Sequence, residues 1–90
     1  MIKISKVLRD LLIKKNKPKF NHTKAAEELS ELNTVLLQRV NKGNGVSDDK
    51  IYEELAHVLI RCNLLVKIYG KHNIQKEINK KEKELFKKYS

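Results

Sequence analysis

Two short stretches decide how this chain folds: Ala26-Glu27-Glu28-Leu29-Ser30-Glu31-Leu32 and Tyr52-Glu53-Glu54-Leu55-Ala56-His57-Val58. Each sets a functional side chain three residues after another, Glu28 before Glu31 and Glu54 before His57. On an α-helix that spacing points both side chains the same way, one turn apart. Taken singly, either block has a plain explanation, since glutamate forms helices well and complements the dipole near a helix start. Taken together, five carboxylates in two matching blocks of a basic protein suggest a divalent cation held between antiparallel helices, because hard cations collect oxygen ligands.

The rest of the chain is helical in composition. Its 90 residues include only three Gly and one Pro, with no Trp. That length makes one domain, spanning residues 1–90, with a modest core that an oligomer interface would supplement. The formal charge is +9, which suggests an anionic partner such as a nucleotide phosphate, a nucleic acid or a membrane surface. The charge is unevenly placed: residues 1–24 hold eight Lys/Arg and one Asp, and residues 71–90 hold seven Lys and three Glu. Residues 25–70 hold five Lys/Arg and seven Asp/Glu, so the acidic blocks sit between basic ends.

Four helices follow from the pattern. Ile4, Val7, Leu8, Leu11 and Leu12 make one apolar stripe, and the run before Pro18 ends it. A second helix is expected from Asn21 or Thr23 to about Asn41, with Ala25, Leu29, Leu32, Leu36 and Val40 on its core face. Glu28 and Glu31 then lie roughly 80° and 140° from the centre of that face, and Glu27 points into solvent. The cluster Asn41-Lys42-Gly43-Asn44-Gly45 predicts a turn. A third helix is expected from Ser47 or Asp48 to Tyr69, capped by Gly70. Its half from Val58 to Ile68 is apolar nearly all round and calls for cover, which a homodimer or homotetramer would provide. The fourth helix is expected from Asn73 to about Lys88, with Ile74, Ile78 and Leu85 inward. Lys81 falls on that same line, either snorkelling to water or aimed at a phosphate.

Cys62 stands alone, so no internal disulfide forms, and its neighbours predict a packing residue in a reducing cytoplasm. The longest apolar run, Val58-Leu59-Ile60, stops at Arg61, which excludes a membrane span. No signal peptide is evident, and a cytoplasmic location is expected. The aromatic residues are scattered rather than interleaved with the basic ones, which counts against nucleic-acid binding.

The paired blocks resemble the MazG-like, all-α nucleoside triphosphate pyrophosphohydrolases, whose signature is ExxE followed at a distance by ExxD. Glu28 and Glu31 match the first pair, and Glu54 matches the third acidic position. Glu53-Glu54-Leu55-Ala56-x-Val58-Leu59 reads like the family's EELADVL, and Gly70-x-x-Asn73-Ile74 like the start of its last helix. The chain would be a small, single-domain, phage-type member, with a four-helix bundle completed by oligomerisation, working in the cytoplasm of a host if phage-encoded.

The resemblance implies cleavage of an NTP or dNTP to NMP and pyrophosphate with Mg2+ or Mn2+. Glu28, Glu31 and Glu54 would be the catalytic metal ligands, and Lys81 would meet phosphate; His57 either joins the ligands or is a hydrogen-bonded core residue. Arg61 shares a stripe with Glu54 and His57 and offers a second phosphate contact. Two departures stand out. His57 occupies the fourth acidic position, and the asparagine that follows the last-helix lysine is missing. Imidazole for carboxylate removes a charge and a hard donor, which favours manganese over magnesium. An altered site also fits a protein that binds and sequesters a nucleotide or cyclic-nucleotide signal uncleaved. A basic helical regulator of nucleic acid is a further alternative.

Overall fold

Proline begins the longest helix rather than merely ending the one before it. The computed structural model describes residues 2–42 and 45–90, which form α1 (Lys6–Lys15), α2 (Pro18–Lys42), α3 (Asp48–Tyr69) and α4 (Lys71–Tyr89). The second helix therefore starts ahead of the expected Asn21 or Thr23. A proline fits the first helical position because its φ is already helical and its missing N–H would have no partner there. Gly43 and Asn44 of the expected turn lie outside the described residues.

Local chemistry sets the other boundaries. The Ser5 hydroxyl accepts a hydrogen bond from the Leu8 amide and caps α1, leaving Ile4 outside the helix. Ser47 caps α3 in the same way, accepting from the Lys50 amide. Gly70 ends α3 with φ +100°, a conformation that side-chain-bearing residues adopt only with strain. The chain turns so sharply there that α4 opens at Lys71, two residues before the expected Asn73.

The α2 and α3 helices pair antiparallel, tied at both ends. At one end His22 lies between the Pro18 carbonyl and the Tyr69 hydroxyl. A carbonyl only accepts, so His22 Nδ1–H donates to it and Nε2 accepts from tyrosine. At the other end Arg39 donates to the Val46 carbonyl at 2.9 Å and pairs with Asp48 at 2.7 Å. Between these ties lie the two acidic blocks.

The core seam differs from the one expected along α2. Asn21, Ala25, Glu28 and Val35 are its buried residues, while Leu29, Leu36 and Val40 remain exposed. The helix is rotated so that Glu28 itself lies in the interface with α3, which carries the neighbouring leucines outward. Opposite, α3 buries Glu54, Val58 and Leu64. The first helix packs on α3 without fully burying any residue. Of α4 only Ile74 is half-buried; its expected inner residues Ile78 and Leu85 are exposed in a single chain. No helix is long and apolar enough to cross a membrane among the described residues.

Candidate metal centre

Two lysines, one on each helix, fix the geometry of the carboxylates. Lys24 precedes Glu28 by one helical turn and Lys50 precedes Glu54 likewise, a spacing that brings side chains together on a helix surface. Lys24 Nζ lies 3.5 Å from Glu28 Oε1, and Lys50 Nζ lies 3.1 Å from Glu54 Oε1. Each lysine also faces the outer glutamate of its block, Glu27 at 3.5 Å and Glu53 at 3.9 Å. Glu27 and Glu53 are consequently exposed and stand outside the cluster.

With their Oε1 atoms held outward, Glu28 and Glu54 turn their other oxygens inward. Both residues are buried, at 6% and 3% relative exposure. Their Oε2 atoms have no hydrogen-bond partner. A buried unsatisfied polar group costs about 1–3 kcal/mol, more when charged, so this arrangement has a reason beyond packing. His57 Nδ1 approaches Glu28 Oε2 at 3.1 Å and Glu54 Oε2 at 4.0 Å, without the alignment of a hydrogen bond to either.

Glu31 completes the group from the exposed side. One ligand atom from each of Glu28, Glu31, Glu54 and His57 lies within 4.8 Å of every other, so the four could hold a metal ion. The negative charge of Glu28 raises the Glu31 pKa above its ordinary 4.5, aided by partial desolvation and then by Glu54. Lys50 is pushed the other way in charge preference: its hydrogen bond to Glu54, then the Glu53 charge, raise its pKa and hold it protonated.

The donor set suits a small divalent ion. Three carboxylates and one imidazole offer hard oxygens and a borderline nitrogen. Opposite ligands of an octahedral magnesium stand about 4.2 Å apart, given bonds of ~2.1 Å. The donor atoms, all within 4.8 Å of one another, would need to close in by about half an ångström or more around such an ion. The two unpartnered oxygens are where such an ion would be held.

The cluster opens on two sides. On one, a cleft of about 470 Å³ is lined by Lys24, Glu28, His57 and Arg61 with apolar residues of α1 and α3. Arg61 is half-buried there, and its Nη1 has no hydrogen-bond partner. On the other, Glu31, Lys50 and Glu54 border a second cleft of about 440 Å³. Lys81 lines neither cleft. It is 63% exposed on α4 and pairs with Glu84 at 3.5 Å.

Sequence reasoning found the four clustered residues but passed over Lys24 and Lys50. The signal was present: both blocks read Lys-x-x-Glu-Glu-x-x before the final ligand, Glu31 in one and His57 in the other. No family model, curated protein or solved structure matches the chain.

Proposed function

We propose that this chain is a MazG-like, divalent-metal-dependent pyrophosphohydrolase that cleaves an NTP or dNTP to NMP and pyrophosphate. One observation carries the reading: Glu28, Glu31, Glu54 and His57 converge between α2 and α3, and the Oε2 atoms of buried Glu28 and Glu54 make no hydrogen bond. Those are the positions that the resemblance assigns to metal ligands. Mg2+ or Mn2+ bound there would neutralise phosphate charge and lower the pKa of a bound water.

The chain's own residues divide the remaining work. Glu28 and Glu54, fixed by their lysines, hold the inner oxygens in place. Glu31 has the raised pKa and the exposed position suited to orienting water. Arg61 borders the same cleft as Glu28 and presents an unsatisfied N–H, which fits contact with a phosphate oxygen. Lys81 keeps a phosphate role only if a neighbouring copy brings its α4 to the cleft. Such a copy is part of the proposal, as a homodimer or homotetramer, because Leu29, Leu36, Val40, Leu55 and Leu59 are exposed in one chain. The lone thiol, Cys62, suits a reducing cytoplasm.

A second reading has its own support. His57 replaces an acid, and Lys24 and Lys50 already neutralise part of the carboxylate charge, so a nucleotide held without cleavage is the alternative. The test is a nucleotide panel incubated with wild type and His57→Asp, each with Mg2+ or Mn2+, followed by product separation. Wild type should turn over slowly with magnesium and faster with manganese, and His57→Asp should gain magnesium-dependent activity. Tight binding with unchanged nucleotide would favour sequestration. Neither binding nor cleavage by either protein would sink both readings.

A further inference from the structure

A second cleft lies at the far end of α3. It encloses about 600 Å³ between the segment leading into α1 and the junction of α3 with α4. Lys6, Arg9, Lys67 and Lys71 line it, and no acidic side chain does. Ile2, Ile4 and Val66 supply an apolar wall. Glu54 and Lys67 are separated by about 20 Å along α3, at ~1.5 Å per residue, so the carboxylate cluster is a separate place.

Four like charges around one hollow repel one another, a cost that an anion in the hollow would remove. Asp10 stands beside Arg9, whose Nε donates to Asp10 Oδ1 at 2.9 Å. Arg9 first, and Lys67 more weakly, hold the Asp10 carboxyl below its ordinary pKa. This contact occupies one of five guanidinium N–H donors and orients Arg9, whose side chain is only 17% exposed. The other Arg9 donors and three ammonium groups stay available. The backbone adds to the field, since α1 begins at Lys6 and α4 at Lys71, both at the cleft. The first turn of α4 has no side-chain cap, leaving amide donors and a positive dipole end there. The end of α3 contributes roughly half a negative charge, far less than the four cations.

We infer that this cleft binds a small phosphate-bearing ligand with at least two negative charges, whose apolar or aromatic part rests on Ile2, Ile4 and Val66. The hollow is walled by the N-terminal segment and residues of α1, α3 and α4, which suits a small molecule better than an extended polymer. The site is independent of the function proposed above.

The experiment uses metal-free full-length protein, freed of chelator, at a constant ionic strength of about 0.15 M, and titrates inorganic pyrophosphate and a nucleoside diphosphate by calorimetry. Both should bind, the nucleoside diphosphate more tightly. Replacing two exposed lysines together, Lys67→Gln with Lys71→Gln, should weaken both by about tenfold or more. The control pair Lys87→Gln with Lys88→Gln, at the other end of α4, should change neither. Binding should persist in Glu54→Gln. Four results would overturn the inference: no binding by wild type, equal weakening by the control pair, loss of binding in Glu54→Gln, or a single-stranded oligonucleotide bound more tightly than the nucleoside diphosphate. Equal affinity for pyrophosphate and nucleoside diphosphate would overturn the role given to the apolar wall.

Discussion

Replacing Glu54 by glutamine separates a metal centre from a buried structural ion pair. Glu28 and Glu54 are both buried, and their ligand oxygens lie within 4.8 Å. Two full negative charges at that distance repel by about 3.5 kcal/mol at an effective dielectric constant of ~20. Glu54→Gln removes that repulsion but also the attraction to Lys50, which is half-exposed and keeps Glu53 and water as partners. The two changes oppose each other. The unpartnered Oε2 tips the balance, because an amide there can donate to Glu28; at the low end for a buried unsatisfied group this contributes about 1 kcal/mol. Metal-free Glu54→Gln should therefore melt at or above the wild-type temperature, by up to roughly 4–8 °C for a domain of this size.

Metal should invert the order. A ligand at a hundred times its Kd stabilises the fold by about 2.7 kcal/mol, roughly 10–20 °C here. The wild type should show that rise with Mn2+, and Glu54→Gln should lose most of it. The assay is thermal unfolding followed by circular dichroism, with and without Mn2+. Equal metal-dependent shifts in the two proteins would refute the reasoning. So would a metal-free Glu54→Gln melting several degrees below wild type, since the carboxylate would then be a structural partner of Lys50.

Glu31 gives a pH signature. Its folded pKa is raised, so the folded state binds the proton more tightly, and metal-free stability should fall as pH rises from about 4.5 through the raised value. Glu31→Gln should flatten that slope in melts recorded across the range. Leu64 is 1% exposed, and Leu64→Ala should cost about 2–5 kcal/mol, read as a drop in denaturation midpoint with little change in slope. Sedimentation at micromolar concentration should show a homodimer or homotetramer, and a stable monomer would remove the oligomer from the proposal.

The helical architecture was legible because apolar periodicity, caps and turn residues agree along the chain. Ser47 and Gly70 stand where cap chemistry puts them. The rotation of α2 was not legible, for a physical reason. Periodicity assigns the core to the most apolar face, here Leu29, Leu36 and Val40, whereas a glutamate lies at the observed interface. A buried acid is the exception to the rule that apolar faces are the ones buried. The same exception marks the candidate site, because local departures from the apolar-inside rule are where functional residues are expected. Lys81 illustrates the limit from the other side, since a helical register places a residue on a face without specifying what that face meets.

The two lysines explain how such a carboxylate cluster can exist without a cation. Three carboxylates converging without compensation would oppose folding, most strongly for the two that are buried. Lys24 and Lys50 each place an ammonium beside one oxygen of a buried glutamate on its own helix, so their electrostatic help is local and available as each helix forms. They do so from the outer side, near Glu27 and Glu53, which keeps the ammonium groups in partial contact with solvent. The inner oxygens remain unsatisfied. Five carboxylates against two lysines leave the two blocks net negative, and Lys24 and Lys50 offset part of that charge beside the buried pair. The repeated Lys-x-x-Glu-Glu pattern is thus more than helix-friendly composition. It stabilises the outer half of each buried carboxylate and leaves the inner half facing Glu31 and His57.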